Sequence, residues 1–222
     1  MEPEHGSTRT IDLPRLRLRV LLIGLPFAGG AGLVLHILAG ASLALGIAGL
    51  AVVAAAVWIV VAVHLRPEMR RTVYRRLRVG AVAGLMGTVA YDFARYGLVS
   101  VFSMSFQPFH VFSVFGELFV GPNHAAAVVF AVGLVYHLSN GTLFGIAYTL
   151  VFRRPAWWTG VLWGIGLELC MAMLYPSWLR IQMLGEFLEV SAFGHVVYGG
   201  VLGLVARALV VRGGSVEMAR EG

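Results

Sequence analysis

Between Arg19 and Arg66 the chain carries no Asp, Glu, Lys or Arg. One crossing of a bilayer needs about 20 mostly apolar residues, so this run is long enough for two. Six stretches of that kind occur in all, at about 20–38, 42–65, 79–104, 125–152, 156–175 and 191–211. The first two share the opening run, with Gly40-Ala41-Ser42 as the turn between them. Charged residues are 13% of the 222, against about 25% in a soluble domain; there is too little charge to keep a water-facing surface wet. Glycine is abundant, at 28 residues, as it is where membrane helices pack closely. The sequence therefore predicts an all-α polytopic membrane protein, one integral membrane domain over 1–222. Met1–Asp12 and Gly213–Gly222 read as short disordered tails, and the polar start does not resemble a cleavable signal peptide.

The basic residues set the orientation. There is no lysine, and all 17 are arginine, which excludes Schiff-base and P-loop lysine chemistry. The single cysteine, Cys170, excludes an intrachain disulfide or a CxxC pair. The net charge of +6 lies in short clusters between apolar runs, which suits anionic lipid headgroups better than nucleic acid. With six spans, four clusters fall on one face: Arg9, Arg15, Arg17 and Arg19; Arg66, Arg70, Arg71, Arg75, Arg76 and Arg78; Arg153 and Arg154; Arg207, Arg212 and Arg220. The other face has only Arg180, and Arg95 lies within the third span. By the positive-inside rule both termini are cytoplasmic, as in a bacterial-type inner membrane. Trp157, Trp158 and Trp178 are placed as interfacial anchors.

Two outer loops have amphipathic spacing. Phe102, Phe106, Phe109, Phe112, Phe115 and Phe119 alternate with Ser103, Gln107, His110, Ser113 and Glu117 at intervals of three and four. This predicts a helix lying flat on the outer surface. Pro176–Val190 reads the same way, with Trp178, Leu179, Ile181, Leu184, Phe187 and Leu188 as its apolar positions.

The chain also repeats itself. Gly80-x-x-x-Gly84 matches Gly160-x-x-x-Gly164, and Gly116-Glu117 matches Gly185-Glu186. His137-x-x-x-Gly141-x-x-x-Gly145 matches His195-x-x-x-Gly199-x-x-x-Gly203. Both hairpins run in the same sense, so 79–154 and 156–212 form a parallel repeat about the membrane normal. The small residues at every fourth position would let the fourth and sixth spans meet closely.

Height in the membrane can be counted from the arginines at about 1.5 Å per residue. His36, His137 and His195 stand 17, 16 and 17 residues from Arg19, Arg153 and Arg212, or about 25 Å up. Asp92 and Glu168 each stand 14 residues from their cluster, or about 21 Å up. Arg95 falls in the histidine layer. An ionisable residue in hydrocarbon costs about 2.5–3.5 kcal/mol even on lenient scales, so these groups should face one another or water.

Several uses of such a layer stay open. Protons or a small solute would engage Asp92, Arg95, His137, Asn140, Glu168 and His195, with Arg95 neutralising Asp92. A transition metal would take His36, His137, His195 and Glu168, and Met104, Met171, Met173 and Met183 suit copper(I). Haem b would use His137 and His195, where Gly133, Gly141, Gly194 and Gly199 leave room for a flat macrocycle. Such a chain would serve in electron transfer or as an accessory subunit, and its glycine faces allow a homo- or hetero-oligomer. A Ser139–His195 dyad would hydrolyse, although the G-x-S-G motif is absent. The remaining reading is a purely structural clasp. Transport or metal handling, without catalysis, is the expected function.

The segment Ser191-Ala192-Phe193-Gly194-His195-Val196-Val197-Tyr198 resembles the last span of the YagU-like inner-membrane proteins. The histidine of the fourth span and Trp158 and Gly160 at the opening of the fifth are similar too, over about Tyr136 to Arg207. The resemblance implies that His137 and His195 belong to one shared feature, in a family linked to acid tolerance. It implies no particular reaction.

Overall fold

The computed structural model describes residues 22–221 apart from Arg180 and Gln182. The arginines at 9, 15, 17, 19 and 180, and the expected tail Met1–Asp12, lie outside the described residues, as do the side chains of Arg212 and Arg220. Every regular element among the described residues is helical: a 3₁₀ turn Leu25–Phe27, then α1 Ala28–Ala39, α2 Leu43–His64, α3 Pro67–Phe102, α4 His110–Val120, α5 Ala126–Val151, α6 Trp157–Trp178 and α7 Leu184–Glu221.

Five of these stretches are long and apolar enough to cross a membrane: Leu22–Ala39, Leu43–Val63, Ala126–Val151, Trp157–Trp178 and Leu184–Val211. This is what a multi-pass membrane protein requires. The expected span at 79–104 is not among them. It lies within α3, where Asp92 and Arg95 lower the hydropathy of the apolar half and arginines crowd the first turns. At 1.5 Å per residue the 36 residues of α3 extend about 54 Å, longer than a bilayer.

The turns follow local chemistry. Gly40 ends α1 with φ +66°, a left-handed geometry that glycine adopts without Cβ strain, and Ser42 accepts the Leu45 N–H to cap α2. α1 and α2 form a hairpin at the edge of the bundle, with α1 resting on α5 through Gly29 and Gly30. α3 packs between α5 and α7, and α6 packs on α7. Their shared core is Val79, Ala83, Tyr91, Tyr148, Tyr198, Leu202 and Ala206.

Glycine sets how near these helices come. A Cβ on Gly84 would meet the carbonyls of Gly141 and Thr142 and the Cα of Gly145, so α3 and α5 touch backbone to backbone. Gly160 and Gly164 make the matching approach to Gly199, Gly203 and the His195 carbonyl on α7. The stripes on α5 and α7 therefore face α3 and α6. They do not face each other as expected, because each is filled by the glycines of the neighbouring half-hairpin.

Three further expectations are corrected. The phenylalanine-rich segment is helical only from His110 to Val120, as α4, whose apolar face covers α5; residues 103–109 are not helical. Phe112 and Phe115 are buried, Gly116 abuts the Val129 carbonyl, and Gly133 abuts the Phe112 carbonyl. Periodicity identified the apolar face but not its cover. The segment 176–190 is not a separate amphipathic helix: α6 continues through Pro176 to Trp178, and α7 starts at Leu184. The backbone at 213–221, read as a tail, continues α7 to Glu221.

Arg76 ties two arginine-bearing ends together. Its Nη1 donates to the carbonyls of Thr149 at 2.6 Å and Phe152 at 3.5 Å, and the Thr149 hydroxyl donates to the Arg76 carbonyl at 2.9 Å. Burial first, then the neighbouring charges of Arg153 and Arg75, pull its pKa below the ordinary arginine value. Removing it in Arg76→Ala leaves carbonyls at the α5 C-terminus unpaired. The expected loss is about 1.5 kcal/mol, read as a drop of a few degrees in the thermal midpoint of the detergent-solubilised protein.

Candidate functional site

Asp92 and Glu168 each meet a histidine on an adjacent helix. On one side, α3 presents Asp92 to α5, and Asp92 Oδ1 lies 3.2 Å from His137 Nε2. Arg95, one turn further along α3, approaches Asp92 only to 3.8 Å. It donates instead to the Pro108 carbonyl at 2.9 Å and lies over the Tyr91 ring, 4.8 Å from its centre. Arg95 is only 4% exposed. On the other side, Glu168 of α6 faces α7. Its Oε2 accepts the Ser191 hydroxyl at 2.6 Å and lies 2.7 Å from His195 Nδ1.

The sequence folds this way because the histidines and the helix contacts share one register. Gly141 and Gly199 stand one turn from His137 and His195, at the points where α3 and α6 come nearest. Close approach there lets a short Asp and a longer Glu reach across. Tyr91 joins the two halves, with its ring 5.8 Å from that of His137 and 4.9 Å from that of His195. The Tyr198 hydroxyl crosses from α7 to the Gly141 carbonyl on α5 at 2.8 Å.

Both histidines line a cavity of about 290 Å³. Arg95, Asn140 and Thr88 also reach it, and much of the remaining wall is aromatic or aliphatic, including Phe106, Phe115, Phe144 and Leu167. Asp92 and Glu168 are not on this wall; they stand behind the imidazoles. Segment 103–109 crosses one side of the cavity. It is held by Arg95 at Pro108 and by the Glu186 carboxylate, which accepts the Phe106 N–H at 2.8 Å.

Of the residues expected from sequence, Asp92, Arg95, His137, Asn140, Glu168 and His195 thus come together at or directly behind one cavity. His36 does not join them. Its Nδ1 pairs with the Ala41 carbonyl at 2.8 Å, and its ring sits edge-on to Trp178. Among the described residues no three of His, Cys, Asp and Glu gather as a metal set, so the four proposed ligands are not assembled. Ser139 is exposed on α5, and the hydroxyl beside His195 is that of Ser191. It donates to Glu168, so among the described residues no serine is poised against a free imidazole nitrogen. The Tyr91 ring packs against the rings of both histidines.

Sequence reasoning missed Ser191, Tyr91 and Glu186. Ser191 lies one helical turn before His195, a spacing that could have flagged it. Nothing local marks Tyr91 or Glu186, whose partners come from other helices.

No known protein family, curated protein or solved structure matches this chain.

Proposed function

We propose that this chain is an integral protein of the cytoplasmic membrane with six spans, and that its cavity handles protons together with a small solute. The observation that carries the reading is the pairing of each intramembrane carboxylate with a histidine whose other face is turned to a common cavity. Carboxylates and imidazoles inside a membrane are the usual relay groups, and histidine changes charge near neutrality.

α3 serves as the sixth span. Its Asp92 reaches His137 and its Arg95 is buried beside the cavity, so neither charge has to meet lipid. The arginines of the α3 start and of the α5–α6 turn share one end of the bundle through Arg76. That supports cytoplasmic termini and contact with anionic headgroups. A resident metal has less support, since no three-ligand cluster forms among the described residues. Haem has less support because the Tyr91 ring packs against both candidate ligands.

Reconstitution tests the reading. Liposomes loaded with a pH-sensitive dye should acidify faster with the full chain than without it under an inward proton gradient. Glu168→Gln should cut that rate more than about tenfold. A rate no faster with the full chain than in protein-free liposomes would reduce the His–carboxylate pairs to a structural clasp.

A further inference from the structure

We propose that the cavity binds a small carboxylic acid with a compact apolar body, together with the proton that neutralises it. The inference rests on the proton-handling reading and names its substrate class.

His195 Nδ1 faces two acceptors, Glu168 Oε2 at 2.7 Å and the Ser191 carbonyl at 3.1 Å. Only an N–H satisfies both, so the neutral ring carries its lone pair on Nε2. At His137 it is Nε2 that lies nearest Asp92, at 3.2 Å but without forming a hydrogen bond; the other ring nitrogen is Nδ1. Neither remaining nitrogen has a hydrogen-bond partner among the described residues, and both rings line the cavity. A lone-pair nitrogen accepts the O–H of a carboxylic acid. Once protonated, the same nitrogen donates to the carboxylate. In the transfer the acid O–H bond breaks, an N–H bond forms at the imidazole, and the products are an imidazolium and a carboxylate in contact. The site therefore holds the ligand before and after the proton moves, with no further reactant.

The charge lining the cavity selects the sign of the ligand. Asp92 and Glu168 stand behind the histidines and off the wall, while Arg95 is on it. Arginine is always charged, and the long 3.8 Å approach to Asp92 leaves guanidinium donors uncommitted. A cationic solute would meet a guanidinium and two imidazoles with no carboxylate within the cavity. An anion meets donors. Asn140 adds an amide, and Phe106, Phe115, Phe144 and Leu167 give the body an apolar bed. About 290 Å³ is at the small end of ligand pockets; it suits a single ring or a short branched chain.

The titratable and charged groups facing the two imidazoles are Tyr91, Asp92 and Arg95 of α3, Glu168 and Tyr175 of α6, and Tyr198 of α7; His110 of α4 lines the same cavity. Histidine is the only one of these residue types that ordinarily titrates between about pH 5 and 8.

The test uses the full chain in nanodiscs and benzoate as probe, with binding followed by calorimetry. Affinity for benzoate should rise about tenfold per pH unit between about pH 8 and pH 6, the slope for one co-bound proton. His195→Gln should flatten that slope, and His137→Gln gives a second reading if the first variant does not fold. Neutral benzamide should bind with no pH slope, and benzylammonium should not compete. Absent or pH-independent benzoate binding, or tighter binding of benzylammonium, overturns the proposal. If benzoate fails to bind but the liposomes still carry protons, the ligand class is wrong and the proton site stands. If benzoate binds with the expected slope but no protons cross, the acid-binding site stands and transport falls.

Discussion

Gly145→Leu is expected to leave no properly assembled bundle. A Cβ at Gly145 would run into the Cα and N of Gly84 and the carbonyl of Gly80, all backbone atoms of α3. Backbone cannot rotate aside as a side chain can, so the two helices must separate. Their separation would also part Asp92 from His137, which face each other across the same helix pair. Overpacking a well-filled interior costs about 1–3 kcal/mol; here a whole helix contact must open, and the expected loss exceeds about 3 kcal/mol, a large share of a typical stability of about 5–15 kcal/mol. Monodisperse yield after extraction and the thermal midpoint are the measurements. Gly49→Leu on α2 is the control, since nothing lies within 4 Å of a Cβ there. Similar behaviour of the two variants would mean that α3 and α5 are not in backbone contact.

Five of the six expected apolar spans were legible because bilayer thickness fixes a length and lipid fixes a composition, and both are one-dimensional properties of sequence. Counting from the arginines brought Asp92, His137, Glu168 and His195 to neighbouring levels, and these residues form the two pairs. His36 shows where that reasoning stops. It was counted to the same height, yet it sits at the α1–α2 turn against Trp178. Height is one coordinate, and the direction in which a side chain points around its helix is another. In a soluble helix the apolar stripe reveals that direction. In α2, α5 and α6 apolar residues surround the axis, so the stripe is erased.

Partner choice was hidden for a related reason. Asp92 and Arg95 have the i, i+3 spacing that favours a local pair, but His137 comes nearer to Asp92 and Arg95 spends a donor on Pro108. A carbonyl freed at a helix break carries no sequence label. Ser191 and Tyr91 gain their roles from helices that pack on them. The glycine repeat was readable as a pattern, and its meaning was not: each stripe admits any neighbouring backbone, and the structure pairs α5 with α3 and α7 with α6.

Glu168 separates a clasp from a site, because two substitutions there should diverge. The residue is 7% exposed, and its Oε2 receives the Ser191 hydroxyl and the His195 Nδ1 contact. Glu168→Leu removes the shared acceptor: the Ser191 hydroxyl loses its carboxylate oxygen among apolar neighbours, and the His195 Nδ1–H keeps only the Ser191 carbonyl. Breaking a buried polar pair on one side costs about 3–5 kcal/mol, so this variant should melt far below the parent. Glu168→Gln keeps the shape and an amide oxygen that accepts both donors. Its NH₂ replaces Oε1, which has no partner, at an expected cost of about 1 kcal/mol. The glutamine protein should therefore assemble nearly as the parent does, with His195 still held in the same tautomer, yet it lacks an ionisable carboxylate. Stability measured in detergent and proton flux measured in liposomes then come apart: leucine loses both, glutamine only the flux. A glutamine protein that retained the flux would show that Glu168 orients His195 without exchanging protons, and the relay would have to run through Asp92 and His137 alone.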